Sequence, residues 1–279
     1  MSATPRSGGL RVCARWQEGE LDAWQVQLVR PPVGRALVGL PPELALARIP
    51  LYYSLCAHAQ QEAGRLALLA AGCAHGTPPE AWRLWGECLH EQLWRLLLDW
   101  PAQWGDEPLR APFARWRASL GERASLKAAT RALLTELLPD GPESGFVARG
   151  LALLQAEGAA PAVGAGLVAR ARGVFEQLAA LEQDQPYPLG MDGSPGEACG
   201  AAWVHTARGA LRHHVQLAQG RVAEWRVDAP TDRNFADEAG IVKRLPVWLP
   251  SPARARQAVE RAVLLLDPCV PFTVEVVNA

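Results

Sequence analysis

The first segment that could do chemistry contains Cys56 and His58, at the expected start of a helix. A cysteine in the first turn of a helix faces unpaired N–H groups and the positive end of the helix dipole. Both favour the thiolate, which binds metals and acts as a nucleophile. Cys56 is therefore a candidate metal ligand, and the competing interpretation is a buried thiol. His58 is a candidate ligand or base, and the competing role is that of a solvated or core histidine.

A second segment combines an arginine, two adjacent histidines and a threonine. Arg208 precedes a glycine and could direct its planar group of N–H donors into a pocket from a turn. Thr231 follows Pro230 and could add a hydroxyl there. His213 and His214 suit a metal, but neighbours on a strand point to opposite faces, so one ion would not bind both without a bulge. Turn formation and capping are the competing roles of this segment.

A third segment places Cys269 directly after an Asp-Pro pair. In isolation, this cysteine follows the end of a helix and points back into the core as a packed thiol. None of the chain's six cysteines forms a CxxC pair, which excludes a zinc ribbon or finger, and disulfides are not expected. The GxSxG, P-loop and GxGxxG motifs are also missing from these segments.

The composition describes a folded protein without a strong charge. Of 279 residues, 49% are hydrophobic, which is enough to bury a core and excludes disorder over the whole chain. The net charge of −1 creates no basic field to recruit nucleic acid or anionic lipid. The sequence contains no run of about 20 apolar residues, so no membrane span is predicted. The N-terminus lacks the pattern of a secretion signal. We expect a cytoplasmic location and no nucleic-acid or membrane partner.

Helices, with short strands near both ends of the chain, are expected to position the three segments. Alternation of apolar residues predicts two hairpins, 10–16 with 21–29 and 210–217 with 221–229. Helical spacing predicts a first long helix that starts near Ser54. The predicted helices span 55–72, 79–98, 111–120, 122–138, 143–156, 162–183 and 254–266. A loop is expected over 185–200. The fold class is mainly α with small antiparallel β-hairpins (α+β), in one domain over 1–279.

Together, the three segments resemble sequence motifs of the large subunit of nickel–iron hydrogenases. That family has an N-terminal RICGVC-type motif, an internal PRGALxHW…VPTTWN-type stretch and a C-terminal DPCxxCxxH motif. The matching segments here are 48–56, 207–214 with 230–234, and 267–269. The first predicted hairpin is also similar, whereas 75–195 matches only as generic helices. The resemblance implies a cut-down large-subunit fold.

Several departures from that family remove residues that hydrogen turnover requires. In the family, each CxxC pair supplies one terminal nickel thiolate and one thiolate that bridges nickel and iron. Tyr53 and Phe272 stand here at two of the four cysteine positions, and two soft ligands are too few for that nickel site. Gln60 replaces a histidine, Glu275 replaces the histidine at the maturation cleavage point, and the proton-relay glutamate aligns with Gly34. The resemblance therefore implies no nickel and no enzymatic activity.

The residues that match those around the iron of the hydrogenase site are retained. In this respect the chain resembles hydrogenase expression/formation proteins of the HupK/HoxV type. These are viewed as scaffolds for an iron that carries two cyanides and one carbonyl, Fe(CN)2CO. The resemblance implies transient binding of this unit by Cys56 and Cys269, with Arg208 and Thr231, beside Pro230, at the diatomic ligands. Cyanide accepts hydrogen bonds, so its pocket must offer fixed donors. The implied partners are the hydrogenase large-subunit precursor and other maturation factors.

Several alternatives stay open from the sequence. Cys269 aligns with a terminal nickel ligand and not with a bridging one, so the iron position could shift or the iron could use Cys56 alone. His213, His214 and Glu275 are candidates for a third ligand. The chain could also be a metal-free binding module that mimics the large subunit to engage other maturation factors, or an enzyme that performs redox chemistry on one iron.

Overall fold

The computed structural model describes residues 8–53, 55–73, 76–192 and 198–279. Ser54, near which the first long helix is expected to start, lies outside the described residues. The chain forms two compact units. The first unit comprises the chain up to Pro31 together with Gln92–Ala179 and Asn234–Ala279, and the second comprises Pro32–Glu91 and Ala180–Arg233. The assignment of both units to one domain over 1–279 stays a prediction.

Helices form most of the regular structure. They are α1 Val33–Leu37, α2 Pro42–Tyr52, α3 Ala57–Ala70, α4 Ala81–Trp94, α5 Arg110–Arg117, α6 Arg123–Leu137, α7 Gly145–Ala156, α8 Pro161–Glu182, α9 Pro230–Asn234, α10 Ala239–Val242 and α11 Pro252–Leu266. A π-helical turn, Arg95–Asp99, follows α4, and a 3-10 turn spans Pro101–Trp104. Each helix predicted from residue spacing has its counterpart in α3 to α8 or α11. Within the described ranges, no helix is long and apolar enough to cross a bilayer.

Among the residues that the structure describes, the strands form two sheets, one in each unit. Their bounds are β1 Gly9–Gln17, β2 Glu20–Val29, β3 Leu189–Asp192, β4 Cys199–Thr206, β5 Gly209–Ala218, β6 Arg221–Asp228 and β7 Phe272–Asn278. Both predicted hairpins are present, as β1 with β2 and as β5 with β6.

The first unit contains a three-stranded sheet in the order β2–β1–β7. Gly19 lies in the turn of the β1–β2 hairpin at φ +93°, a conformation that glycine adopts without steric cost. β7 pairs with β1 in parallel, with Leu10 opposite Phe272, where the sequence predicts only a short apolar tail. No local pattern shows this pairing, because its partners lie at opposite ends of the sequence. Val259 of α11 and Val274 of β7 belong to the same apolar core.

The second unit contains a four-stranded antiparallel sheet in the order β3–β4–β5–β6. The prediction of a loop over 185–200 is wrong at β3, where Leu189–Asp192 pairs with Ala201–Val204 of β4. The Pro and Gly content of this segment hides its strand character. Pairing with a neighbouring strand satisfies the backbone groups regardless of local composition, because tertiary context overrides strand propensity.

Helix α3 packs closely on the sheet of the second unit, and Gly200 in β4 makes this approach possible. A Cβ at Gly200 would lie 2.1 Å from the carbonyl oxygen of Ala67 and 2.4 Å from the backbone nitrogen of Ala71. Both atoms belong to backbone, which does not move aside as a flexible side chain does. The absence of a side chain at position 200 therefore sets the distance between α3 and the sheet.

The N-terminus of α3 is capped by a carboxyl group from α4. The carboxyl group of Glu87 accepts two hydrogen bonds, one on each oxygen. The backbone N–H of His58 donates to Oε2 at 2.7 Å, and that of Ala59 donates to Oε1 at 2.9 Å. Burial raises the pKa of Glu87 to about 8, although both N–H groups act in the opposite direction. The cap therefore joins α3 to α4 through a half-buried carboxyl group.

Replacement of Gly200 by alanine tests the close packing of α3. We expect Gly200→Ala to lower the free energy of unfolding by about 1–3 kcal/mol, because the added methyl group meets backbone. Urea unfolding monitored by circular dichroism measures the change. Gly121→Ala is the control, since a Cβ there has no neighbour within 4 Å. Equal stability of the two variants would contradict the packing described here.

Replacement of Glu87 by glutamine tests the protonation of the carboxyl group that caps α3. The folded-state pKa of Glu87 lies above the ordinary value of 4.5, so the folded chain holds this proton more tightly than the unfolded chain. The contribution of Glu87 to stability therefore falls as pH rises from 4.5 to about 8, by at most about 1.4 kcal/mol per pH unit. We expect the stability of Glu87→Gln relative to wild type to increase over this range in denaturant titrations. A stability difference that does not change with pH would show that the cap does not titrate there.

Candidate functional site

Cys56 lies at the N-cap position of α3 in the second unit and is half-buried. Its sulfur accepts a hydrogen bond from the side-chain amide nitrogen of Gln60 at 3.7 Å. The backbone carbonyl of Cys56 also accepts the backbone N–H of Gln60, at 2.9 Å, as the first bond of the helix. The sulfur thus faces a side-chain donor that lies one helical turn further along the chain.

The sequence suggests that the first-turn N–H groups of α3 are unpaired and face the sulfur of Cys56, but two of them form hydrogen bonds with another residue. The N–H groups of His58 and Ala59 donate to Glu87, and no side chain at the N-cap position makes a capping bond. The expectation that Cys56 faces unpaired helix N–H groups is therefore wrong in this respect. Sequence reasoning missed Glu87, although a glutamate among the Trp and Leu residues of a helix is a signal for a buried carboxyl group.

Behind Gln60 lie two further buried residues, His213 of β5 and Trp225 of β6. The Nε2 of His213 lies 2.8 Å from the side-chain carbonyl oxygen of Gln60, and the indole N–H of Trp225 donates to the Nδ1 of His213 at 3.1 Å. Burial lowers the pKa of His213 to about 3, so its ring is neutral at physiological pH. Both ring nitrogens are engaged, so His213 is not a third metal ligand in this arrangement.

The other two candidates for a third ligand lie in different surroundings. His214 follows His213 on β5 and lines an open cavity together with Cys199 of β4. This placement on the opposite face of the strand confirms the expectation from strand alternation. Glu275 is exposed on β7 in the first unit, and its carboxylate accepts a hydrogen bond from Arg11 at 2.8 Å. Of these two candidates, His214 belongs to the second unit and Glu275 to the first.

Arg208 projects from the turn between β4 and β5, as predicted, and forms a buried ion pair with Glu91 of α4. The turn is stabilised by Thr206, whose hydroxyl donates to the carbonyl of Gly209. An ion pair removed from water is costly unless both charges are compensated, so Glu91 holds the guanidinium in place. Glu91 is a second carboxyl group of α4 that sequence reasoning missed.

Pro230 and Thr231 begin α9 and are both buried. A Cβ at Gly209, next to Arg208, would lie 4.0 Å from the Cγ of Pro230. The structure therefore brings the turn that carries Arg208 into contact with the start of α9. These three residues, predicted to bind the diatomic ligands, belong to one region of the second unit.

Cys269 is half-buried in the first unit, where its sulfur accepts a hydrogen bond from a guanidinium N–H of Arg30 at 2.7 Å. Arg30 follows β2 and was not singled out by the sequence analysis. Its contact places a guanidinium group directly beside the sulfur. Cys269 is therefore more than the packed thiol that its sequence context suggests in isolation.

The turn before Cys269 is held by two arginines. Asp267 ends α11 at φ +54°, and its carboxylate accepts hydrogen bonds from Arg95 at 2.6 Å and from Arg170 at 3.2 Å. Arg95 also donates to the carbonyl of Pro268. This buried network fixes the backbone from which Cys269 projects. Sequence reasoning missed both arginines, which lie about 170 and 100 residues before this turn.

The two cysteines predicted to bind iron are described in different units. Cys56 belongs to the second unit and Cys269 to the first. Among the described residues, no three His, Cys, Asp or Glu side chains are grouped so that they could hold a metal ion. Convergence of the two sulfurs on one iron stays a prediction.

Comparisons with known proteins identify the fold. No protein-family model matches the chain. The nickel–iron–selenium hydrogenase of Desulfovibrio vulgaris Hildenborough in its reduced state superposes with a TM-score of 0.64 at 11% identity, over 91% of this chain and 94% of that one. The enzyme from Desulfomicrobium baculatum superposes with a TM-score of 0.60, over 92% and 95%. The predicted α+β fold, similar to the hydrogenase large subunit, is confirmed.

Sequence comparison identifies the family. The chain is 32% identical to the hydrogenase expression/formation protein HupK of Azotobacter vinelandii, over 98% of its own length and 100% of the relative. It is 30% identical to the hydrogenase expression/formation protein HupV of Azotobacter chroococcum over the same shares. The hydrogenase expression/formation protein HoxV of Cupriavidus necator matches a shorter part, at 39% identity over 29% of this chain. The chain therefore belongs to the family of hydrogenase expression/formation proteins that includes HupK and HupV.

Proposed function

We propose that this protein is a non-catalytic scaffold in the maturation of nickel–iron hydrogenase, which holds an Fe(CN)2CO fragment as cargo and passes it to the apo large subunit. Cys56 and Cys269 bind the iron, and Arg208 and Thr231 donate to the cyanides beside Pro230. The observation that carries the proposal is the full-length similarity to expression/formation proteins in a chain that keeps two of the four cysteines of the hydrogenase motifs.

The loss of the other two cysteine positions suits a carrier. Phe272 begins β7 and is part of the sheet of the first unit, and Tyr53 follows α2. Neither side chain provides a soft ligand for nickel. Two cyanides and one carbonyl already fill three of the six positions around iron, so two thiolates are enough to hold this cargo. A site with fewer protein ligands also releases its cargo more readily.

The position of the proton-relay glutamate supports a role without hydrogen turnover. A Cβ at Gly34 in α1 would lie 2.0 Å from the backbone carbonyl oxygen of Trp225. Because the obstacle is backbone, this arrangement leaves no room for a glutamate side chain. The close contact between α1 and β6 occupies the space that such a residue would need.

Cyanide recognition is assigned to the region around Arg208. A guanidinium carries several N–H donors in a fixed plane, and the ion pair with Glu91 holds that plane in a buried environment. Hydrogen bonds to an anionic acceptor are strongest where water is excluded. Thr231, fully buried in α9, can add a hydroxyl donor to the same region.

Replacement of the two cysteines tests the cargo. Protein purified anaerobically from a host with the maturation machinery is expected to show infrared bands of bound cyanide and carbonyl. We expect Cys56→Ser and Cys269→Ser each to lower the bound iron by more than about tenfold, because each removes a soft ligand. Cys199→Ser, at an exposed free cysteine, is the matched control. The absence of bands in the wild type, or undiminished bands in Cys56→Ser, would contradict the proposal. Full hydrogenase maturation with either variant would favour the metal-free binding module instead.

Replacement of Arg208 by lysine tests cyanide recognition. Arg208→Lys keeps the charge opposite Glu91 but loses the planar group of donors, so the fold is expected to persist. We expect the cyanide bands to shift more than the carbonyl band, and the bound iron to fall by up to about tenfold. The control is Arg212→Lys, at a half-exposed arginine on β5 that pairs with Asp192. Cyanide frequencies identical to those of the wild type would place the cyanides elsewhere.

A further inference from the structure

We propose that Gln60 is a positioning residue that directs an amide N–H onto the sulfur of Cys56, and that this hydrogen bond weakens the iron–sulfur bond so that the cargo can leave. The effect on iron rests on the proposed function. The hydrogen-bond chain that orients Gln60 exists in the protein itself and comprises Trp225, His213, Gln60 and Cys56.

The direction of this chain is determined by Trp225, since an indole N–H can only donate. The Nδ1 of His213 must therefore accept, and the single proton of the neutral ring must lie on Nε2. Nε2–H then donates to the carbonyl oxygen of Gln60 at 2.8 Å. The amide oxygen is thereby assigned, so the NH2 group of Gln60 faces the sulfur of Cys56 at 3.7 Å.

Burial makes this orientation persistent. The exposed fraction of the residue is 2% for Gln60, 0% for His213 and 4% for Trp225. A reversed amide would place its NH2 group against the N–H of His213 and leave two buried donors in conflict, which is costly away from water. The amide also carries no titratable proton, so its N–H stays on the sulfur side over the whole physiological pH range.

Gly64, one turn after Gln60 in α3, allows this chain to form. A Cβ at Gly64 would lie 2.8 Å from the Cδ1 of Ile49, 2.9 Å from the Cζ2 of Trp225 and 3.4 Å from the Nδ1 of His213. Only a residue without a side chain lets α3 approach the Trp225 and His213 rings at this point. The same face of α3 therefore carries both Gln60 and the space for its supporting residues.

A hydrogen bond to a metal-bound thiolate draws electron density from the sulfur and lowers its donation to the metal. Iron that receives less density returns less to a bound carbonyl, whose stretching frequency rises. A carrier protein must bind its iron cargo specifically but reversibly. The Gln60 amide supplies this by making Cys56 a weaker donor without removing it as a ligand.

Gln60→Met tests the effect on iron. Methionine has a similar length and a sulfur that accepts weakly from His213, but it has no donor for Cys56. We expect the carbonyl band of the loaded protein to shift to lower frequency by more than its own width, and transfer of iron to the apo large subunit to slow. Gln177→Met, at another buried glutamine in α8, is the matched control and should leave both unchanged. An unshifted carbonyl band in Gln60→Met would overturn the proposed effect.

Nuclear magnetic resonance of the iron-free protein tests the chain independently of the cargo. We expect the 15N shifts of His213 to show the Nε2–H tautomer, and Cys56→Ala to move the side-chain amide resonances of Gln60. Trp225→Phe, which removes the donor that sets the direction, should introduce the second tautomer. An Nδ1–H tautomer in the wild type, or Gln60 resonances insensitive to Cys56→Ala, would overturn the positioning role. Missing infrared bands in the wild type would instead overturn the scaffold proposal and, with it, the effect on iron.

Discussion

The close approach of α3 to the four-stranded sheet is the constraint on which the Cys56 site depends. Gly200 and Gly64 remove the side chains that would hold the helix away, and the resulting contact brings Gln60 within hydrogen-bond distance of His213. Because packed interiors tolerate little added volume, a single methyl group at either glycine changes this distance. The helix start, the sulfur of Cys56 and the supporting residues on β5 and β6 are thus parts of one packing arrangement.

Buried arginines and carboxyl groups organise the turns that carry other candidate residues in each unit. Glu91 holds Arg208 in the second unit, and Asp267 is held by Arg95 and Arg170 in the first. Such ion pairs are weak contributors to net stability, but removal of one partner is costly, so each pair fixes the geometry of its neighbours. In both units the fixed element is a turn that carries a residue assigned to the cargo.

The two cysteines differ in the donor that each sulfur meets. Cys56 accepts from the neutral amide of Gln60, whereas Cys269 accepts from the charged guanidinium of Arg30. A cation compensates the charge of a bound thiolate, while an amide adjusts its electron donation without adding charge. In the proposed scaffold, the two sulfurs would therefore hold the same iron with different strength.

The sequence by itself determined helices α3 to α8 and α11, both hairpins, the family resemblance and the candidate residues Cys56, Cys269, Arg208 and Thr231. These follow from residue spacing and from short motifs, which are local properties of the chain. Only the tertiary structure decided which side chains support the candidates. The partners Glu87, Glu91 and Arg30 are 29, 117 and 239 residues away from the residues with which they form hydrogen bonds. His213 is 153 residues away from Gln60. The pairing of β7 with β1 and the cap on α3 depend likewise on contacts between distant segments, and burial rather than local pattern selects those contacts.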